Sequence, residues 1–195
     1  MDTDFLGGTA LAAIRAYAKM AARLPAPESF LRDACAIRIH EDLKQKVSVE
    51  LPIRTFVNEW NMERLEFEGL GTFRIDLAVF SELNAFNKIN LNNLVEFKLW
   101  TDRYKVANDV RRLKQICRAV DSAIKVDQSH RMKGYVVVCP QYYQGLASVD
   151  FALSDFSGRF PICWSKTEEC DVSGRMFGIG SAVIDIDCCD EGAFG

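Results

Sequence analysis

Two short apolar stretches of this chain carry charged residues in phase with the alternation of a β-strand. They are residues 73–80, which contain Asp76, and residues 94–100, which contain Glu96 and Lys98. Successive side chains of a strand point to opposite faces, so Glu96 and Lys98 share a face. If the two strands are antiparallel neighbours, Asp76 and Glu96 approach to cross-strand distance. The chain must therefore fold so that a sheet accommodates two acids and a lysine.

Two carboxylates at that distance repel each other unless a proton or a cation lies between them. Mg²⁺ is the natural cation, because it prefers hard oxygen ligands and keeps several waters. Such an ion polarises a phosphoryl oxygen and lowers the pKa of a bound water, while Lys98 would orient that water or stabilise developing charge. The competing interpretation is the solvated polar face of an amphipathic sheet, which the spacing alone does not exclude.

The elements around these two strands follow the order helix, three strands, helix, strand. The first helix is predicted from residue 28 to about 46, and an alternating strand follows at 47–54. After the charged strands, a long helix over 106–125 has an apolar stripe, and the apolar run 134–140 is typical of a strand buried on both faces. The pattern predicts the α/β (α+β) class, with a mixed central sheet flanked by helices.

The chain is interpreted as one domain. Its 195 residues lie within the usual range, and 49% hydrophobic residues supply enough apolar material for a core. Residues 1–27 are predicted to form an N-terminal helix with its connector. Residues 28–140 are the predicted core, and residues 141–195 are a C-terminal extension. Within the extension, strands are predicted at 160–164, 175–179 and 182–186, and a short helix within 145–156.

Charge and cysteine content limit the classes of function. The net charge of -3 excludes a global attraction to nucleic acid, so any such surface must be local. Three basic residues interrupt the Ala-rich stretch 9–24, which therefore predicts neither a signal peptide nor a membrane span. The cysteines have no CxxC spacing, which favours a reduced cytoplasmic protein with buried thiols. The alternative is zinc binding by Cys163, Cys170, Cys188 and Cys189.

Glu41 continues the apolar stripe that is predicted for the first core helix. That stripe consists of Phe30, Ala34 and Ile37, which lie at helical spacing. A carboxylate in line with them either lies at the edge of the core as part of a site, or is solvated at the end of the helix. Both interpretations remain open at the level of sequence.

Basic and amide side chains are concentrated on the side of the 106–125 helix that lies away from its apolar stripe. They are Arg111, Arg112, Lys114, Gln115 and Arg118, and Lys105 precedes them. A row of this kind contacts phosphates of nucleic acid, with an affinity that falls as salt rises. A solvated helix face is the commoner meaning of the same pattern.

The charged strands and the order of elements resemble the PD-(D/E)XK nuclease superfamily, which has the restriction-endonuclease-like fold. The resemblance covers residues 28–140. It implies that Asp76 and Glu96 bind the metal ion, and that Lys98 is the lysine of the motif. Glu41 matches the acid that many members carry on the first core helix, and the resemblance implies that it contributes to binding of the metal ion through water. The residue before Asp76 is not the proline of the motif.

The resemblance implies a nuclease that uses Mg²⁺ or Mn²⁺ to hydrolyse phosphodiester bonds. DNA is the expected substrate by analogy with most of the superfamily, and defence against foreign DNA and repair are both compatible with it. Gln115 lies where the RecB-like branch carries a Gln. Relatives of this kind dimerise or join larger systems, so a homodimer and a partner protein both stay open. The alternative is a non-catalytic nucleic-acid-binding or assembly module that retains the fold.

Overall fold

The computed structural model describes residues 1–81, 86, 90–99, 103–124, 131–142 and 145–189. The helices in these ranges are α1 (Thr3–Ala21), α2 (Glu28–Leu43), α3 (Arg54–Asn58), α4 (Arg103–Ile124) and α5 (Leu146–Ser157). The strands are β1 (Lys46–Pro52), β2 (Arg74–Phe80), β3 (Leu91–Lys98), β4 (Lys133–Val138), β5 (Gln141–Tyr142), β6 (Ile162–Val172) and β7 (Arg175–Asp185). Short 3₁₀ helices cover Arg64–Phe67 and Ile186–Cys188. The predicted strand end at Trp100, the predicted helix end at residue 125 and the last six residues of the C-terminal extension lie outside the described residues.

The described strands form one mixed sheet. Their order is β1-β2-β3-β4-β7-β5, and β6 also pairs with β7. β3 and β4 are parallel, while the neighbouring pairs β1–β2, β2–β3 and β4–β7 are antiparallel. The protein is therefore α+β with a mixed sheet flanked by helices, as the sequence predicted. The predicted order of helix, three strands, helix and strand is observed from α2 to β4, except that α3 and the first 3₁₀ helix lie between β1 and β2.

Helices cover both faces of the sheet. α1 and α2 pack on the face that presents Leu77, Val95 and Phe97. α4 packs on the opposite face, which presents Leu94 and Val136. None of the helices in the described ranges is long and apolar enough to span a membrane.

The predicted apolar stripe of α4 is confirmed. The stripe consists of Val106, Val110, Leu113, Cys117 and Val120, which are buried, and Ile124, which is partly buried. They recur at spacings of three and four residues, so they fall on one side of the helix and pack against the sheet. This fixed rotation decides which polar residues of α4 point toward the sheet and which point away from it.

The predicted stripe of α2 is only partly correct, because Phe30 and Ala34 pack half-buried against the core whereas Ile37 and Glu41 are exposed. The residues that α2 buries are Leu31, Cys35, Ala36 and Ile39. Ile37 is 57% exposed, because the helix is rotated so that a neighbouring set of apolar residues meets α1 and the sheet. Glu41 is consequently exposed on the far side of α2 and does not point with the core-facing residues.

The C-terminal extension contributes a long hairpin to the sheet. β6 and β7 pair from Ile162↔Ile184 to Val172↔Arg175, and a two-residue turn joins them. Both turn residues, Ser173 and Gly174, have positive φ, which is the conformation that tight hairpins require. The two separate strands that the sequence predicted over 175–186 are a single strand, β7. The short helix predicted within 145–156 is α5.

Candidate functional site

Asp76 and Glu96 are held together by the pairing of β2 with β3. The two strands are antiparallel neighbours, with Leu77 opposite Val95. Beyond that pair, the backbone amides of the two strands donate to side-chain carboxylates instead of to backbone carbonyls. The amide of Phe97 donates to Asp76 Oδ2 at 2.8 Å, and the amide of Asp76 donates to Glu96 Oε1 at 3.2 Å. The predicted cross-strand approach of the two acids is therefore confirmed.

Lys98 lies at the end of β3 and is surrounded by carboxylates from three elements. Its Nζ is 3.2 Å from Asp109 Oδ2, 3.6 Å from Glu28 Oε1 and 3.7 Å from Glu96 Oε2. Only 19% of its side chain is exposed, so the ammonium is largely removed from water. The start of α2, the end of β3 and the first turns of α4 thus meet at one lysine.

Glu28 occupies the position that the sequence assigned to Glu41. It precedes the buried Leu31 and Cys35 by three and seven residues, so it lies on the core-facing side of α2. Glu41 lies thirteen residues further along the same helix, which is about 20 Å along the axis. The structure therefore does not bring Glu41 together with Asp76, Glu96 and Lys98. The signal for Glu28 in the sequence was its alignment with the stripe that is actually buried.

The start of α2 is fixed by a buried glutamine. Gln141, which is 2% exposed, accepts a hydrogen bond from the Ala26 amide at 2.7 Å. Its side-chain amide also donates to the Ala26 carbonyl at 3.4 Å. Ala26 is two residues before Glu28, so these bonds hold the first turn of α2 beside Lys98. An acid in the first turn also interacts favourably with the helix dipole.

Asp109 is a site residue that the sequence analysis missed. It is 4% exposed and its second oxygen lies 3.6 Å from Arg112 Nη1. The Arg112 guanidinium in turn lies over the Phe73 ring, 4.9 Å from its centroid. Asp109 follows the buried Val106 by three residues, and this alignment with the apolar stripe was the available signal. In the sequence, Asp109 counts only as an acid that dilutes the row of basic residues.

Burial makes the charges of this site interact strongly. Burial and the neighbouring Asp76 raise the pKa of Glu96 well above its usual range, against the effect of Lys98. Burial likewise raises the pKa of Asp109 and of Glu28, while Lys98 opposes both shifts. Burial alone would lower the pKa of Lys98, but the surrounding carboxylates outweigh it and raise that pKa. The lysine is therefore an ammonium ion at neutral pH. Its one positive charge is too small to balance the carboxylates that surround it.

The donor set suits a hard divalent cation. The ligands that Asp76 and Glu96 offer are carboxylate oxygens, and Mg²⁺ is commonly held by one or two carboxylates together with waters and substrate phosphates. In the part of the chain that the structure describes, no group of three or more His, Cys, Asp or Glu side chains is arranged to hold a metal ion. Two carboxylates alone would leave the other coordination positions of such an ion to water and substrate oxygens.

The predicted basic row divides between two sides of α4. Lys105, Asp109 and Arg112 lie at i, i+4 and i+7, so they share the side toward Lys98. The other side lines a groove of about 560 Å³ with Arg111, Lys114, Gln115 and Arg118. Gln115 Nε2 donates to the Glu66 carbonyl at 2.6 Å, which anchors the first 3₁₀ helix rather than the acidic site. Lys114 donates to the Cys189 carbonyl.

The C-terminal cysteines do not form the predicted four-cysteine zinc alternative. Cys163 and Cys188 are neighbours, with their sulfurs 3.8 Å apart. Cys170 lies seven residues further along β6, which is about 23 Å at the rise of a strand. Its partner across the hairpin is Phe177, so it cannot share a tetrahedral site with the other cysteines.

Comparison with known proteins adds no family assignment. No protein-family model, no curated protein and no solved structure matches this chain. The function is therefore argued from the chemistry of the two clusters, the acidic site around Lys98 and the groove on α4.

Proposed function

We propose that this protein is a metal-dependent nuclease with a restriction-endonuclease-like fold. The observation that carries the proposal is the convergence of Asp76, Glu96 and Lys98 at one end of the sheet. Glu28 and Asp109 add two carboxylates around the same ammonium. A largely buried site with this excess of negative charge favours a divalent cation. Lys98 lies beside Glu96, so its ammonium would be close to a cation that Glu96 binds.

Asp76 and Glu96 would hold Mg²⁺ or Mn²⁺. When bound, the ion supplies Lewis acidity at a phosphoryl oxygen and a more acidic water. Asp76 and Glu96 are oriented by the Phe97 and Asp76 amides, so the second oxygen of each carboxylate is held in place before substrate arrives. Lys98 is protonated, and its role is to stabilise the negative charge that develops at phosphorus rather than to accept a proton.

Glu28 and Asp109 act through Lys98. Each lies within 4 Å of Nζ, on opposite helices, so together they restrict where the ammonium can point. We assign them as positioning residues, with Glu28 in place of the predicted Glu41. Arg112 pairs with the other oxygen of Asp109, and the Phe73 ring packs against the Arg112 guanidinium.

A polynucleotide is the substrate class that fits both clusters, with DNA the expected form. Arg111, Lys114 and Arg118 place three cations along one side of a groove. Phosphates bind such surfaces with little regard to sequence. Lys105 and Arg112 lie on the side of α4 toward the acidic site, where they would approach the phosphate next to the cleaved bond. The net charge of -3 makes this local basic surface the main attraction for a polyanion.

Cleavage of plasmid and linear DNA tests the proposal. The wild-type protein should cut with Mg²⁺ or Mn²⁺ and should stop on addition of EDTA. Lys98→Ala should reduce the rate about 100- to 1,000-fold, the range for loss of a group that stabilises transition-state charge. Equal rates for the wild type and Lys98→Ala would refute catalysis by this site. Parallel assays with RNA decide between the two nucleic acids.

The second candidate function is a non-catalytic nucleic-acid-binding or assembly module. The observation that favours it is that Lys98 already has carboxylate neighbours on three sides, so the cluster can be a structural ion-pair network. Calorimetry with Mn²⁺ separates the two functions. Binding of Mn²⁺ that disappears in Asp76→Asn and Glu96→Gln supports the nuclease, and no such binding supports the module.

A further inference from the structure

Two exposed thiols meet at the C-terminal end of the described chain. The Sγ atoms of Cys163 and Cys188 are 3.8 Å apart, and both side chains are exposed. Cys163 belongs to β6 and Cys188 ends the C-terminal 3₁₀ helix. They are 25 positions apart in the sequence, so the contact is made by the fold and not by local chain geometry.

A β-bulge brings Cys163 to this position. Ile162 pairs with Ile184, whereas Trp164 pairs with Val183, so the register shifts at Cys163. A bulge leaves one residue unpaired and redirects its side chain. Without that shift, Cys163 would follow the regular alternation of β6. The bulge is therefore the local feature that turns the thiol toward the end of β7.

The partner thiol is held by a capped turn. Asp185 accepts a hydrogen bond from the Asp187 amide at 3.0 Å, and the Cys189 amide donates to the Ile186 carbonyl at 3.2 Å. These bonds fix the 3₁₀ helix that carries Cys188. Both sulfurs are thus presented by ordered backbone.

The remaining cysteines are excluded from this pair by burial or distance. Cys117 is buried between α4 and the sheet, and Cys35 and Cys139 are buried on the face of the sheet that α1 and α2 cover. Cys170 is at the other end of β6, as described above. Cys189 is adjacent in sequence, but it is 4% exposed and its sulfur lies 3.7 Å from the Asp185 carbonyl. The geometry therefore selects Cys188, and not Cys189, as the neighbour of Cys163.

We propose that Cys163 and Cys188 form a reversible thiol–disulfide site that reacts with a low-molecular-weight disulfide such as glutathione disulfide. One cysteine thiolate attacks a sulfur of glutathione disulfide, which gives a mixed disulfide and releases one glutathione thiolate. The second cysteine thiolate then attacks the protein sulfur of the mixed disulfide and displaces the other glutathione. Two cysteine thiols are oxidised, one glutathione disulfide is reduced to two glutathiones, and the two protons pass to the released thiolates.

Either thiol can make the first attack, because both side chains are exposed. Burial and the neighbouring Cys163 thiol raise the pKa of Cys188 to about 11. Closing the bond then requires the sulfurs to approach from 3.8 Å to about 2.05 Å, the length of a disulfide bond. The bond would tie the 3₁₀ helix to β6. It would also restrain the adjacent Cys189, whose carbonyl accepts a hydrogen bond from Lys114 of the α4 groove.

The site is tested by oxidising the folded protein in buffers with increasing ratios of glutathione disulfide to glutathione. After alkylation of free thiols, trypsin cuts beside Arg159, Lys166 and Arg175 and separates the cysteines of interest. Cys163 falls in peptide 160–166, Cys170 in 167–175, and Cys188 with Cys189 in 176–195. We expect 160–166 and 176–195 to be cross-linked, and the link to disappear on addition of dithiothreitol.

Matched single variants identify the partner. Cys163→Ser and Cys188→Ser should abolish the cross-linked peptide, whereas Cys170→Ser and Cys189→Ser should retain it. Two of the seven thiols should become unreactive in the oxidised wild type. Retention of the link in Cys188→Ser, or oxidation that ends at a glutathione adduct without a cross-link, would overturn the proposal. The proposal is independent of nuclease activity, so the two can fail separately.

Discussion

The two sides of α4 place charges in opposite environments. Toward the sheet, Asp109 is buried and lies 3.2 Å from the Lys98 ammonium. Away from the sheet, Arg111 and Arg118 are exposed beside an open groove. Charges that are removed from water interact strongly and are hardly screened by salt, whereas exposed charges are screened within about 10 Å at ordinary ionic strength. One helix thus contributes to a site suited to chemistry and to a surface suited to reversible binding.

The largest effect should come from neutralising an acid of the buried site. Asp76→Asn keeps an oxygen for the Phe97 amide but removes the charge that would bind the metal ion. We expect the cleavage rate to fall about 1,000-fold, while the affinity for DNA measured with EDTA is unchanged. Asp42→Asn, which removes an exposed acid paired with Arg38, is the matched control. Equal losses in both variants would show that the buried site has no special role.

The next effect distinguishes the two acids of α2. Glu28→Gln should lower the cleavage rate about 10- to 100-fold, because residues that orient a catalytic group typically have effects of this size. Glu41→Gln should leave the rate unchanged, because Glu41 is exposed near the other end of the helix. The measurement is kcat under saturating DNA for both variants. The reverse pattern would restore the original assignment of Glu41.

The groove should affect binding and leave the chemical step unchanged. We expect Arg111→Gln combined with Arg118→Gln to weaken DNA binding about 10-fold at low salt and to reduce the slope of log K against log salt by about 2. kcat should stay the same. Lys19→Gln with Lys166→Gln removes two exposed charges from other surfaces and should change neither quantity. A lower kcat in the groove variant, with unchanged affinity, would show that the groove takes part in the chemical step and not in binding.

The smallest effect concerns stability without metal. Burial raises the pKa of Glu96, so the ionised carboxylate destabilises the folded state above the pH at which the unfolded chain loses this proton. In EDTA at neutral pH, Glu96→Gln should raise the free energy of unfolding by about 1 kcal/mol, or Tm by roughly 2–4 °C. The gain should vanish near pH 4, where Glu96 is protonated in both states. Thermal unfolding at both pH values measures it, and a variant less stable than wild type at neutral pH would contradict the argument.

Local periodicity was sufficient to predict much of the core. The stripe of α4 and the strands that carry Asp76 and Glu96 follow from the spacing of apolar residues, and the pairing of the two acids follows from strand alternation. α2 shows the limit of this reasoning. Its sequence contains two overlapping stripes, and the choice between Ile37 and Ile39 is made by contact with α1 and the sheet. That contact is non-local, so the sequence pointed to Glu41 instead of Glu28.

The C-terminal hairpin was hard to predict for a different reason. Gly180 and Ser181 separate the apolar runs 175–179 and 182–186, which were predicted as two strands. In the structure, a Cβ on Gly178 would lie 2.2 Å from the Gly145 carbonyl oxygen, and one on Gly180 would lie 2.7 Å from Val149. These glycines allow α5 to pack closely on the strand, a requirement that appears only when both elements are in place.

The hydrogen bonds between Gln141 and Ala26 have a consequence for the growing polypeptide. They join residues that are 115 positions apart, and the first turn of α2 depends on them. During synthesis, Ala26 leaves the ribosome long before Gln141, and contacts between distant residues are completed late in folding. A nascent chain that ends before β5 would carry Asp76, Glu96 and Lys98 while Glu28 still lacks its anchor. In the proposed nuclease, the first turn of α2 would therefore be anchored beside Lys98 only after Gln141 has been translated.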